Sequence, residues 1–145
     1  MNVRQATVTQ SIYPCFRYDD AKAAIAWLTS VLGFEEKEIC AGEGGTIAHA
    51  ELRFGGNLIM LGSAKAGAYD KSPASLGGVT GTTYIGLDTP ARIESLYAKV
   101  KAAGAHVLRE LTDTEYGSRE FSVCDPEGYA WSFGTYRPAA ESDGT

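Results

Sequence analysis

One predicted pattern of secondary structure occurs twice in the sequence, and this repeat constrains the fold more than any single residue does. In the first copy a short apolar strand, Ile12 to Tyr18, leads into a helix predicted over Ala21 to Leu32. In the second copy a strand, Thr82 to Leu87, leads into a helix that starts at Pro90 and ends at Gly104. Three strand-like runs follow each helix, so the pattern β-α-β-β-β recurs at an offset of about 70 residues. We therefore predict an α+β fold of two tandem βαβββ modules, whose curved, barrel-like mixed sheets surround a cleft.

The ends of both helices are marked by residues that suit those positions. Asp20 can accept hydrogen bonds from the first N–H groups of the first helix, and Gly33 can adopt the left-handed conformation that ends it. In the second copy Thr89 is the predicted cap, and Pro90 takes the first helical position, where its missing N–H costs nothing. Gly104 then ends that helix.

The length of 145 residues favours one domain, spanning 1–145. Module one covers about 10–62 and module two about 82–137. Between them, residues 63–81 are rich in Gly, Ala and Ser and lack apolar periodicity, which predicts a surface connection.

Composition excludes several classes of partner. The net charge of -5 comes with no basic stripe, so nucleic acid is not an expected partner, and no apolar run is long enough to cross a membrane. The first residues lack the apolar stretch of a secretory signal. Three cysteines, Cys15, Cys40 and Cys124, are widely separated and form no C-x-x-C pair, which favours a reducing cytoplasm.

Strand alternation predicts which side chains face the helices. Within Thr46 to Phe54, successive residues point to opposite faces, so an apolar set alternates with a more polar one. The apolar set is Ala48, Ala50, Leu52 and Phe54, and the other is Ile47, His49, Glu51 and Arg53. The polar face could simply be exposed to solvent. Alternatively, the two sheets curl toward each other and enclose a polar-lined cavity, which the repeat favours.

Several motifs resemble one known family across Ile12 to Pro138. They are the helix Asp20-Ala-Lys-Ala-Ala-Ile-Ala-Trp-Leu, the run His49-Ala-Glu-Leu-Arg-Phe-Gly, and the turn Asp125-Pro-Glu-Gly before an aromatic strand. The chain is similar in these to the glyoxalase/bleomycin-resistance/dioxygenase group, also called the vicinal oxygen chelate superfamily, and to its PhnB-like branch. The resemblance implies the paired-module fold and, in many members, a homodimer in which two chains complete each cavity.

The resemblance also implies a divalent metal, which in enzymes of the superfamily is held by His, Gln or Glu on the first and fourth strands of each module. In this sequence those positions fall on Tyr13, Met60, Thr82 and Ser132. None of these side chains is a normal ligand for such a metal. We therefore expect no metal and no other cofactor.

A metal or acid–base site could instead be rebuilt from other residues. His49 and Glu51 lie two apart in a strand, so both point to one face, and Glu120 would approach from module two by pseudo-symmetry. His and two Glu are sufficient for zinc or manganese. His49 and Glu120 are the candidate catalytic residues in this reading.

The leading hypothesis is a metal-independent protein that binds a small molecule, and by resemblance sequesters an antibiotic or toxic metabolite. The rival is a metal-dependent lyase, isomerase or dioxygenase with its site at His49, Glu51 and Glu120. A third alternative is a structural or regulatory protein that binds no ligand. The candidate ligand-binding residues are Tyr13, Arg17, His49, Glu51, Arg53, Met60, Thr82, Tyr84, Arg119, Glu120 and Ser132.

Overall fold

The structure, a computed structural model, describes residues 8–67 and 70–140 and contains two four-stranded sheets. Each sheet is mixed, with one parallel pair and two antiparallel pairs of strands. Sheet one has the order β1-β4-β3-β2, with β1 (Cys15–Tyr18), β2 (Glu35–Ala41), β3 (Ile47–Phe54) and β4 (Asn57–Ser63). Sheet two has the order β5-β8-β7-β6, with β5 (Thr82–Gly86), β6 (His106–Asp113), β7 (Arg119–Cys124) and β8 (Ala130–Gly134). The repeated strand order confirms the two βαβββ modules.

The helices begin at the predicted residues, but the first one changes type before it ends. The α-helix α1 spans Ala21–Trp27, with Asp20 as its cap, and continues as a π-helical stretch, Leu28–Leu32, up to Gly33. Within this stretch the Ser30 hydroxyl donates a hydrogen bond of 2.7 Å to a carbonyl of the preceding turn. Such side-chain bonds compete with the regular helical ladder, which suits an irregular last turn.

The second module and the connection contain the other two helices. The long helix α3 spans Pro90–Ala102, and Thr89 caps it by accepting a hydrogen bond from a first-turn N–H at 3.3 Å. The connection, predicted as a surface segment, contains a short helix α2, Pro73–Leu76. Ser72 caps α2, and both Ser72 and Pro73 are buried. No helix in the described ranges is both long and apolar enough to cross a lipid bilayer.

A bulge in sheet one changes which residues at the start of β3 face the core. The β2–β3 ladder pairs Cys40 with His49 and Ala41 with Ile47, so Ala48 is an extra residue on β3. Ile47 is buried and Ala48 is exposed, which is the reverse of the predicted alternation. The prediction was wrong at these two residues because a bulge shifts the in-and-out phase of a strand by one.

The two modules pack against each other through the faces that carry their helices. Phe34 and Trp131 make an edge-to-face contact with ring centroids 5.5 Å apart, and Phe54 and Phe133 lie 6.2 Å apart. Helix α3 also packs on the last turn of the first helix, and one apolar cluster spans both modules. The polar face of each sheet therefore lies on the side away from this shared core. Within residues 8–67 and 70–140 of one chain, the two sheets do not enclose the polar cavity that the sequence predicted between them.

The Asp125-Pro-Glu-Gly turn joins the modules. Asp125 is buried and its carboxylate accepts four hydrogen bonds, one of them from the Tyr18 hydroxyl at 2.6 Å. The Glu127 carboxylate accepts hydrogen bonds from the backbone N–H groups of Asp19 at 2.6 Å and Asp20 at 2.8 Å, at the start of α1. This turn of module two thus fixes the strand-to-helix junction of module one.

Candidate functional site

A row of hydroxyl groups crosses the polar face of sheet two. Ser122 on β7 and Ser132 on β8 are directly opposite each other, and their hydroxyl oxygens are 2.8 Å apart. The Thr82 hydroxyl on β5 lies 3.3 Å from that of Ser132 and also donates to the Ala130 carbonyl at 3.0 Å. These side chains form the floor of a cleft and present groups that can both donate and accept hydrogen bonds.

Glu120 lies at one end of this floor and is only 6% exposed. Arg109 on β6 donates a hydrogen bond of 3.1 Å to one carboxylate oxygen, and the Tyr116 hydroxyl donates one of 2.8 Å to the same oxygen. A buried carboxylate without such partners would be strongly unfavourable. The pairing allows Glu120 to remain an acceptor in the cleft.

Three tyrosines surround the cleft, which has a volume of about 720 Å³. Tyr84 lies on β5, while Tyr116 and Tyr136 pack edge to face with ring centroids 5.9 Å apart. Tyr116 is 63% exposed and Tyr136 is 52% exposed, which leaves large aromatic surfaces accessible to a ligand. A few polar groups within aromatic walls are typical of small-molecule sites.

Tyr84 is held in place by its own hydroxyl group. It donates a hydrogen bond of 2.6 Å to the Tyr136 carbonyl, while its contact with Glu120 is longer, at 3.4 Å. Desolvation raises the pKa of Tyr84, and the Ser118 hydroxyl partly opposes this effect. Tyr84 is therefore a neutral hydrogen-bonding group at neutral pH.

Gly134 on β8 makes room for these side chains. A Cβ atom at this position would lie 2.3 Å from the Tyr84 hydroxyl oxygen and 2.7 Å from Cγ of Glu120. Any side chain here would displace one or both residues, because real Cβ atoms do not approach other atoms so closely. The glycine therefore sets the shape of the cleft.

The polar face of sheet one carries a second group of predicted residues, each with a partner. His49 Nε2 lies 2.9 Å from a Glu51 carboxylate oxygen, and Met60 is opposite Glu51 on the neighbouring strand. The other three predicted residues pair elsewhere: Arg17 with Asp70 at 3.3 Å, Arg53 with Glu35 at 3.5 Å, and the Tyr13 hydroxyl with the Gln10 carbonyl at 2.9 Å.

Arg119, one of the candidate ligand-binding residues, does not line the cleft. Its guanidinium donates to both carboxylate oxygens of Asp113, at 2.9 and 3.2 Å. Its Nε lies 3.0 Å from a carboxylate oxygen of Glu94 on α3, as an ion pair without hydrogen-bond geometry. Arg119 therefore links β7 to β6 and α3.

The set proposed for a rebuilt metal site does not converge in the chain. His49 and Glu51 lie on sheet one, whereas Glu120 is bonded to Arg109 and Tyr116 on sheet two. Across residues 8–67 and 70–140, no three side chains of His, Cys, Asp or Glu are placed to share a metal ion.

The family's usual metal positions also do not fit a metal. Tyr13 and Met60 belong to module one, and Thr82 and Ser132 to module two, so within one chain they lie on different sheets. Hydroxyl and thioether groups are poor ligands for the hard or borderline divalent metals that such enzymes use. The chemistry of these residues gives no basis for a metal-dependent step.

Sequence reasoning thus identified part of the cleft and missed the rest. It named Thr82, Tyr84, Glu120 and Ser132, which the structure brings together. It missed Arg109, whose position opposite Ser122 follows from the β6–β7 register. It also missed four other cleft residues, Tyr116, Ser122, Tyr136 and Pro138.

Three further side chains lie outside the cleft. Cys15 is exposed, and Cys124 is half-buried. Tyr129 bonds the edge strand β1: its hydroxyl accepts from the Arg17 N–H at 3.2 Å and donates to the Arg17 carbonyl at 2.9 Å.

Comparisons with known proteins agree with the fold. The uncharacterized protein Mb0911c of Mycobacterium bovis is 31% identical over 130 residues, which cover 88% of this chain and 84% of that protein. The crystal structure of TioX from Micromonospora sp. ML1 is 28% identical, with a TM-score of 0.68, and covers 88% of this chain and 100% of TioX. A PhnB protein from Bacillus cereus shares the fold at 20% identity, with a TM-score of 0.63 and coverage of 86% and 98%.

The family model of the Glyoxalase/Bleomycin resistance protein/Dioxygenase superfamily matches residues 10–133. This match includes both βαβββ modules up to Phe133 in β8 and most of the cleft on sheet two, while the cleft residues Tyr136 and Pro138 lie beyond it. The chain therefore belongs to the Glyoxalase/Bleomycin resistance protein/Dioxygenase superfamily.

Proposed function

We propose that this chain binds a small molecule in the cleft on sheet two, without a metal. The observation that supports this most is the combination of exposed tyrosine rings with a hydroxyl floor and a buried carboxylate whose charge is already paired. Tyr116 and Tyr136 offer aromatic surface at low entropic cost. Ser122, Ser132 and Thr82 offer hydrogen bonds that would fix the orientation of a ligand.

The residues that line the cleft indicate the chemical class of its ligand. A planar or aromatic molecule would stack on the tyrosines, and polar substituents would bond the hydroxyl floor. Arg109 compensates Glu120, so the cleft favours a ligand that is neutral or carries small polar groups. A protein that binds a ligand without reacting with it can act by sequestering that ligand, here an antibiotic or a toxic metabolite. Membership of the superfamily is consistent with this role.

We further propose that a second copy completes the site. The cleft is walled by module two and the C-terminal segment, and the polar face of sheet one lies away from it, beyond the shared core. A homodimer that places sheet one of one chain over sheet two of its partner would enclose the ligand. Light scattering should give the mass of a dimer, and a monomer would count against this arrangement.

Thermal-shift screening tests the binding function. The probes would be planar aromatic antibiotics and small aromatic acids, each added to protein treated with a chelator. A ligand present at one hundred times its dissociation constant should add about 2.7 kcal/mol to the free energy of unfolding. If no compound in such a panel stabilises the protein, a structural or regulatory role becomes the better account.

A second experiment separates binding from metal-dependent catalysis. Protein purified without chelator would be analysed for zinc, nickel, manganese and iron, and assayed as an isomerase on a hemithioacetal. We expect substoichiometric metal and no turnover. Stoichiometric metal that disappears in His49→Ala would support the rival enzyme with a site at His49, Glu51 and Glu120.

A further inference from the structure

A second cavity, of about 510 Å³, lies between the two modules. Both modules contribute apolar side chains to its lining, Phe34, Phe54 and Ile59 from module one and Ile85 and Leu87 from module two, beside the polar side chains of Gln10, Asn57 and Thr83. Part of its wall is β5, which is the edge strand of sheet two. No step of the proposed binding function uses this cavity.

The mouth of the cavity carries two arginines and one carboxylate. Arg92 Nη1 donates a hydrogen bond of 2.9 Å to Asp88, and Arg137 also lines the cavity. The hydrogen bond from Arg92 lowers the pKa of Asp88, and the positive charge of Arg137 acts in the same direction. One carboxylate and two guanidinium groups leave a net charge of about +1 at the mouth. The chain as a whole has a net charge of -5, so this is a local reversal of sign.

The position of Arg137 is fixed by the residue before it. The Tyr136 N–H donates to the Ser118 hydroxyl at 2.9 Å, and the Tyr136 carbonyl accepts from the Tyr84 hydroxyl at 2.6 Å. The Arg137 side chain then crosses Gly86, where an added Cβ atom would lie 2.7 Å from its Cγ. The Arg137 side chain thus crosses the edge of β5 and lines the cavity.

We propose that this cavity binds a small amphipathic carboxylate, such as a medium-chain fatty acid. Its alkyl chain would replace water against the phenylalanine and aliphatic side chains, and its carboxylate would pair with Arg137 and Arg92. Guanidinium groups bind carboxylates in a planar, two-bond geometry, and such charge-assisted bonds are strong. An alkylammonium of the same length would bring a positive charge to a positive mouth.

Isothermal titration calorimetry with octanoate as the probe tests the proposal. We expect saturable binding at one site per chain, with affinity rising about fourfold for each added methylene from hexanoate to octanoate. Octyltrimethylammonium, at a concentration below its micelle formation, should not bind. Equal binding of the cation, or no saturable heat with octanoate, would overturn the proposal.

A charge-reversal pair of variants locates the site. Arg137→Glu should weaken octanoate binding at least about tenfold, because it removes one charge-assisted bond and adds a repulsive charge. Arg53→Glu changes the net charge of the chain by the same amount but lies on sheet one, where Arg53 pairs with Glu35. It should leave the affinity within about twofold, since surface charges at a distance are screened by salt. If both variants weaken binding equally, or neither does, the cavity is not the site.

Discussion

The Tyr18 hydroxyl of module one donates a hydrogen bond of 2.6 Å to the Asp125 carboxylate of module two. Both residues are buried, and the same carboxylate oxygen accepts a hydrogen bond from the Trp131 indole at 3.1 Å. Because the Tyr18 hydroxyl is buried, it depends on Asp125 for its hydrogen bond, while the Asp125 carboxylate accepts three further bonds. The contact links the first strand of one module to the turn before the last strand of the other.

Tyr18→Phe should destabilise the protein by about 1.5–3 kcal/mol, because it removes a buried hydrogen bond to a charged acceptor without leaving a large cavity. Urea denaturation measures the change. Tyr97→Phe is the matched control: its hydroxyl bonds Glu110 at the surface, and its loss should change stability by less than about 0.5 kcal/mol. Equal effects of the two changes would show that the Tyr18–Asp125 contact has no special importance.

Stability should fall at high pH in a way that depends on Tyr18. Burial raises the pKa of Tyr18 well above its ordinary value, and the charge of Asp125 adds to the effect. In the unfolded chain this phenol loses its proton above about pH 10, whereas in the folded chain it keeps it. The contribution of this group is therefore fully present below pH 10 and declines as the pH rises, by about 1.4 kcal/mol per pH unit.

The check on this pH dependence is urea denaturation between pH 9 and 11. The slope of stability against pH should be shallower in Tyr18→Phe than in the unchanged protein by the contribution of one proton. Parallel slopes would contradict the assignment.

Glu127→Gln should weaken the start of α1. The carboxylate of Glu127 accepts two backbone N–H groups there, and its charge favours the positive end of the helix. An amide has only one acceptor oxygen, so we expect a loss of about 1 kcal/mol. Amide hydrogen exchange at Asp19, Asp20 and Ala23 should become faster. Unchanged exchange at these amides would argue against the capping role.

Gly134→Ala should block the cleft on sheet two while preserving the fold. The new methyl group would displace the Tyr84 hydroxyl and Glu120, and so occupy the space that the ligand needs. We expect any ligand found by screening to bind at least about tenfold more weakly, which corresponds to 1.4 kcal/mol. Gly56→Ala is the control, since a Cβ atom there meets nothing within 4 Å. It should leave both binding and thermal stability unchanged, and the account fails if the two variants bind equally.

The fold was largely predictable because its signals are local. Asp20, Gly33 and Thr89 mark helix ends through their own backbone and side-chain chemistry, and the structure confirms each of them. The bulge at Ala48 was not predictable, since one extra residue in a strand leaves no mark on composition.

The orientation of the sheets also could not be predicted from the pattern. The alternation of side chains shows which face of a strand is apolar. It does not show how the two modules pack against each other, because more than one arrangement of the modules buries the same apolar faces. In this chain Phe34 meets Trp131 and Phe54 meets Phe133, so the helix-bearing sides share one core. The polar faces that were expected to enclose one cavity therefore lie apart.

The cleft was predictable only in part, for a related reason. Thr82 and Ser132 were found from motif positions, and Glu120 from the alternation of its strand. The position of Arg109 depends on the pairing of β6 with β7. The register of that pair shifts on both sides of Arg109, and such shifts are not visible in the sequence.

The most direct test of the binding site is a ¹H–¹⁵N NMR titration of chelator-treated protein with the best compound from the thermal-shift screen. The account predicts saturable changes at a ratio of one ligand per chain, largest at the amides of Tyr84, Tyr116 and Ser132. Changes at His49 and Glu51 without changes at Tyr84, Tyr116 and Ser132, or binding that occurs only after a divalent metal is added, would contradict it.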